Sequence, residues 1–209
     1  MVGLCRTGQS CPIVRTPEVV VFLVAVVVLA ALAVPLAGGR LGALVEIRLR
    51  HVWAIFAALG LEIAAMNLPG LPEGLRAALM VAAYPVGAVF LAANWRVPGI
   101  PLAALGAALN LLVIAANGGV MPASAAALQR AGLPADAPGF QNSAAVAGPR
   151  LAFLGDVFAL PASWPLSNVF SVGDMLIAVG LAWGVHRICG SRLVPRWTGN
   201  AGAPPAGPL

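Results

Sequence analysis

The chain contains no lysine and little charge of any kind: 9% of its 209 residues are Asp, Glu, Lys or Arg, against about 25% in a soluble globular domain. With 60% hydrophobic residues and a mean hydropathy of +0.93, that shortage excludes a water-soluble domain, a disordered chain and a fibrous repeat. It leaves a polytopic membrane protein. Cysteine is equally sparse. Cys5, Cys11 and Cys189 have no metal-ligand spacing, and an odd count builds no complete disulfide framework. Cys5 and Cys11 could pair if the N-terminus lies outside the cell. Twelve Arg stand against seven acids, for a formal charge of +5, with no basic run denser than Arg48 and Arg50. Nucleic-acid binding is therefore a poor reading, and the basic excess serves orientation in the membrane instead.

Residues 19–37 carry no charge over nineteen positions, enough at about 1.5 Å per residue to approach the thickness of a hydrocarbon core. Arg40, Arg48 and Arg50 follow and resist translocation, so the segment reads as a retained span rather than a cleaved signal peptide. Residues 52–68, 77–93, 100–116 and 169–185 qualify as further spans, separated by Pro, Gly and Arg clusters that break helices. The expected fold is all-α: one transmembrane bundle of about five spans over 1–197, with a disordered tail at 198–209. With the N-terminus outside, the inner flanks hold seven of the twelve Arg, namely Arg40, Arg48, Arg50, Arg96, Arg187, Arg192 and Arg196. This gives an inner-membrane, multi-pass protein, N-out and C-in.

The connection 117–168 is then extracytoplasmic. Its first half, 122–149, is rich in Ala, Gly, Pro and Ser without periodicity and reads as a flexible cover. Its second half, 151–161, is an apolar run around Asp156, too short to span, and reads as an interfacial or re-entrant helix. Trp53, Trp164 and Pro165 suit interfacial anchoring. No internal repeat is evident.

Few polar residues interrupt the spans. Glu62 is eleven positions into the second, where a charge costs at least about 2.5 kcal/mol on insertion scales. Either it is a neutral acid hydrogen-bonded to Asn110 or Asn94 as packing glue, or it belongs to a proton relay or a substrate contact. Asp156 and Asp174 lie eighteen residues apart, both toward the outer face. They form either an aspartyl dyad or a plain pair, with Asp156 a solvated interfacial charge and Asp174 a first-turn acid capped by Ser167 or Asn168. Asn117, Gly118 and Gly119 end the fourth span as a helix stop, or line an outer pocket with Asn168 and Ser171.

Gly38-Gly39-Arg40, Asn94, 117–122 (Asn-Gly-Gly-Val-Met-Pro), Phe153-Leu154-Gly155-Asp156 and 168–174 (Asn-Val-Phe-Ser-Val-Gly-Asp) together resemble a family of bacterial integral-membrane proteins of unknown function. Over the last ninety residues, Gly155-Asp156-Val157-Phe158 and Phe170-Ser171-Val172-Gly173-Asp174 are similar to the motifs of lipoprotein signal peptidases, which are membrane aspartyl proteases. Ser171 stands where those enzymes have Asn and Gly173 where they have Ala, and no Asp-Arg follows Asn117. That resemblance implies Asp156 and Asp174 as a catalytic dyad that cleaves a membrane-embedded peptide or lipoprotein without metal or cofactor. The alternative is a non-enzymatic scaffold or accessory protein that binds a partner or a lipid, and a transporter stands third. Oligomeric state is not legible.

Overall fold

A computed structural model describes residues 18–133, 143–164 and 167–195. Cys5, Cys11, Pro165, Arg196 and the tail 198–209 lie outside the described residues. The elements in chain order are α1 (Glu18–Leu36), α2 (Trp53–Asn67), α3 (Glu73–Ala93), α4 (Ile100–Ala116), β1 (Met121–Pro122), α5 (Ala125–Ala131), β2 (Ser143–Ala144), β3 (Asp156–Leu160), β4 (Asn168–Ser171) and α6 (Val172–Ile188). Helices stand at all five expected places. Among the described residues, however, α3 alone is both long and apolar enough to cross a membrane, while Val21–Leu36, α2 and α4 are apolar but shorter. Only 17% of the most apolar stretch of α3 is buried within the structure.

Long runs of Ala, Leu, Val and Ile make these helices, and charged or glycine contacts join them. Arg76, at the start of α3, donates from its guanidinium to the carbonyls of Ala65, Leu68 and Leu71. It thereby satisfies the otherwise unpaired C-terminus of α2 and closes an antiparallel helical hairpin. α4 and α6 form a seam of glycines: a Cβ on Gly106 would strike the Gly173 carbonyl, and one on Gly99 would strike that of Gly180. Only hydrogen at those positions lets the two backbones approach so closely. α1 runs parallel to α6. Phe22 stacks on Phe170 at 5.2 Å, and at the far end Arg40 N–H donates to the Cys189 carbonyl while Arg192 N–H donates to that of Ala37.

These contacts make the five long helices alternate in direction. One end of the bundle gathers the turns around 38–52, 94–99 and 189–195, and with them Arg40, Arg48, Arg50, Arg96 and Arg192. The other end gathers 68–72 and the described parts of 117–171.

A matched device closes each end. Asn94, at the C-terminus of α3, accepts from Arg50 N–H (2.9 Å) and donates to the carbonyls of Arg50 and Phe90 (both 2.8 Å). Asn117, at the C-terminus of α4, accepts from Arg150 N–H (2.9 Å) and donates to the carbonyls of Arg150 (2.9 Å) and Val113 (2.8 Å). In each case the residue after the clamped Arg, His51 or Leu151, is a non-glycine with positive φ. Clamp and clamped segment occur in opposite chain order, and for that reason no repeat is visible along the sequence.

Two expectations for 117–168 are corrected. Residues 151–161 form no interfacial helix: a single 3-10 turn, Ala152–Leu154, leads into β3, which pairs antiparallel with β4. A short apolar run reads alike as a helix or a buried strand; here the aromatic side chains Phe158 and Phe170 stack at 5.5 Å across the ladder, and cross-strand pairing satisfies the backbone. β4 thus takes the start of the expected fifth span, and α6 begins only at Val172. Nor are the described parts of 122–149 a loose cover. α5 is capped by the Ser124 side chain and buries Ala127, Leu128 and Ala131 against Val169 of β4. Residues 134–142 lie outside the described residues.

Candidate functional site

Large apolar side chains stand exposed on this bundle while several polar ones are buried beside its apolar core. Leu36, Phe56 and Leu29 are 91%, 68% and 65% exposed, whereas Asn94, Asn110, Asp156, Asn168, Ser171 and Asp174 are buried. Between the α2–α3 hairpin and the α4–α6 pair lies a cavity of about 330 Å³ with mostly apolar walls. Its polar lining is Glu62 of α2, Tyr84 of α3, Asn110 of α4, Asp156 of β3 and Asp174 of α6. Three acids remote in sequence therefore face one space, and none of its twenty lining residues is basic.

Asp174 is the third residue of α6, and its setting follows from the strand-to-helix turn. Ser171 caps the helix: its Oγ accepts from Asp174 N–H at 3.0 Å, while Ser171 N–H donates to Asp174 Oδ2 at 2.9 Å. This reciprocal capping box closes two otherwise unpaired donors. Asn110 Nδ2 donates to Asp174 Oδ1 at 2.7 Å, and Ser171 Oγ lies 2.8 Å from Asn110 Oδ1 and 2.9 Å from Asp174 Oδ2. Its one proton serves a single acceptor at a time. Asn110 is pressed against Gly173, where any Cβ would collide with its amide, so the glycine seam also positions this ring of bonds.

Asp156 opens β3 directly opposite Ser171 and is almost fully buried; its carbonyl accepts from Ser124 N–H at 3.0 Å. Glu62 and Tyr84 share this lining with Asp156 and Asp174.

Of the sequence-derived candidates, Asp156, Asp174, Glu62 and Asn110 meet at this cavity. Asn117, Gly118, Gly119, Asn168 and Ser171 do not line it. Asn117 clamps the Arg150 peptide; Gly118 and Gly119 have positive φ (71° and 94°) and turn the chain, with Gly119 packed on Ala77; Asn168 pairs with Leu160 in the ladder. Ser171 acts behind the lining, as the cap. The cap of α6 is thus Ser171, not Ser167 or Asn168, because the chain stays extended through 168–171. Glu62 is not glued to Asn94 or Asn110, whose amides are committed to Arg50 and Phe90 and to Asp174 and Ser171 respectively. Tyr84 was missed. The signal was available: it is the chain's one tyrosine, a polar atom in the middle of an apolar run.

An α-helical bundle with an acid-bearing central cavity describes a class of architecture rather than an activity. The chain belongs to the Family of unknown function (DUF5317), whose model matches residues 46–186, a range that contains every polar residue of the cavity. It is also similar to an uncharacterized protein of Thermotoga maritima, 32% identical over 93 residues, which are 44% of this chain and 54% of the relative. The chain thus spans about half the length of that curated relative. No solved structure matches the chain. Neither similarity supports the resemblance to lipoprotein signal peptidases.

Proposed function

We propose that this is a multi-pass plasma-membrane protein, N-out and C-in, that binds a small ligand in the cavity at the centre of its bundle. The observation that carries the reading is the convergence of Glu62, Asp156 and Asp174 on one largely apolar space of about 330 Å³. That size falls within the range of ligand sites, where a few placed polar groups set orientation. Embedding in lipid accounts for the exposed Leu, Val and Phe on the outer faces of the helices, which in water would be an aggregation hazard. Helices of 15 to 17 residues reach about 22–26 Å, and apolar flanks such as Val52 and Leu68 extend them toward a core of about 30 Å. The gathering of five Arg at one end of the bundle supports a cytoplasmic position for that end.

The cavity reading is tested by native mass spectrometry of protein released from its own membranes. A bound ligand should accompany the wild type and be lost from Ala107→Phe, which fills the cavity from α4. Identical spectra with no ligand on either would refute it. A C-terminal reporter active only in the cytoplasm should work; activity of one that works only in the periplasm would overturn the orientation.

A second reading, hydrolysis of a membrane-embedded peptide by water held between Asp156 and Asp174, has one observation in its favour: both acids line the same cavity, Asp156 from the start of β3 and Asp174 from the first turn of α6. Against it, both oxygens of Asp174 are engaged by Asn110 and Ser171. A dyad requires Asp156→Asn and Asp174→Asn each to abolish complementation of a deletion strain at normal membrane levels. Full complementation by both ends that reading.

A further inference from the structure

The geometry points to a lipophilic organic cation, entering sideways from the bilayer between α1 and α2, as the occupant of the central cavity. The inference rests on the cavity reading above and names its ligand class. Three observations carry it independently.

The first is sign. Among the described residues the lining holds three acids and no basic residue, so an occupant carrying a positive charge is attracted and an anion repelled. The second is spread. Among the described residues, no three acid, His or Cys side chains converge as metal ligands do, and the acids come from α2, β3 and α6. A charge carried on a body large enough to touch separated walls fits this better than a point cation. The aromatic side chains of Tyr84 and Phe90 also line the cavity, and aromatic rings attract such a cation.

The third is the route. Leu23 of α1 and Ile55 and Glu62 of α2 all line the cavity, yet α1 and α2 scarcely touch each other: α1 packs on α6 and β4, and α2 on α3. The α2–α3 hairpin meets the rest of the bundle mainly through α3 on α4. The sparsely packed α1–α2 seam is the route by which the ligand enters, and in the proposed setting its surroundings are lipid tails. A ligand reaching Glu62 that way must partition into the bilayer first, which selects an amphiphile over a freely soluble ion.

The test uses the full chain in phosphatidylcholine nanodiscs, with equilibrium dialysis of 4-phenylbutyltrimethylammonium, its neutral isostere with carbon in place of nitrogen, and tetramethylammonium, each corrected for protein-free discs. The lipophilic cation should bind saturably and lose about tenfold or more in affinity in Glu62→Gln. The isostere and tetramethylammonium should bind at least about tenfold more weakly to the wild type. Asp156→Asn provides a second carboxyl removal should Glu62→Gln fail to fold, judged by thermal denaturation. No saturable binding of the lipophilic cation, equal binding of tetramethylammonium, or indifference to both carboxyl removals overturns the ligand class. If, in that event, another ligand still accompanies the wild type and is lost from Ala107→Phe, the cavity reading survives alone. Cation binding unchanged in Ala107→Phe refutes both.

Discussion

Asn110 supplies the sharpest test of how the cavity is held. Its amide donates to Asp174 Oδ1 at 2.7 Å and receives Ser171 Oγ at 2.8 Å, and all three residues are buried. Asn110→Leu keeps the branching and roughly the volume of the side chain but removes both functions. Asp174 Oδ1 then loses its side-chain donor, a buried charged acceptor left unpaired, which costs about 2–3 kcal/mol. At about 2–4 °C per kcal/mol for a chain of this length, the melting temperature in detergent should fall by about 4–12 °C.

Asp174→Asn should behave differently. With the Asn110 amide turned over, its oxygen accepts from the NH₂ of the introduced amide and its nitrogen donates to Ser171 Oγ, while Ser171 N–H still finds the introduced amide's oxygen. Every bond is remade, and the loss is limited to the charge at the helix N-terminus, about 0.3–1 kcal/mol. Because the charge is what makes Asn110 costly to remove, Asn110→Leu should cost less in the Asp174→Asn background, and the double-mutant cycle should show coupling of about 1 kcal/mol or more. The assay is thermal denaturation of the four purified proteins in one detergent. A fall below about 2 °C for Asn110→Leu, or strict additivity in the cycle, would refute the account of the ring.

Further outcomes follow from the same contacts. Gly106→Val places side-chain carbons against the Gly173 carbonyl and Ile177 and should cost about 1–3 kcal/mol through forced separation of α4 and α6, seen as reduced thermal stability in detergent; a wild-type melting curve would contradict the seam. Asn94→Ala and Asn117→Ala each strip one clamp and should each cost about 1–2 kcal/mol. Their effects should add in the double mutant, since the clamps close opposite ends of the bundle, and strong coupling by thermal denaturation would count against two separate devices. Burial pushes the Cys189 thiol above its ordinary range, so its thiolate fraction at neutral pH is low and maleimide should label it only after unfolding. Peptide-resolved mass spectrometry reads this site apart from Cys5 and Cys11, and rapid labelling of folded protein would refute its burial.

The helices were legible because their signal is local and long. A run such as 77–93 carries no charge, and each expected span falls within a few residues of an observed helix. Their ends were less legible, since β4 and α6 divide one continuous apolar stretch, and only the partner strand β3 decides where extended chain gives way to helix. The candidate site was legible as residue types: Glu62, Asn110, Asp156 and Asp174 are conspicuous because polar groups are costly in apolar runs. Tyr84 carries the same signal, one polar atom within an apolar run.

Composition and hydropathy alone determined the mostly helical architecture, since continuous apolar runs of fifteen residues or more are too long for strands and read as helices. Which polar residues share a space was decided only by tertiary structure. Asn117 and Asn110 stand seven positions apart with the same chemistry, yet one clamps a loop and the other faces the cavity, because the glycine seam brings α6 against Asn110 while the turn at 118–119 sends the chain back over Asn117. Sequence spacing carries no record of such cross-chain approach: it depends on where hydrogen replaces a side chain on both of two distant helices at once.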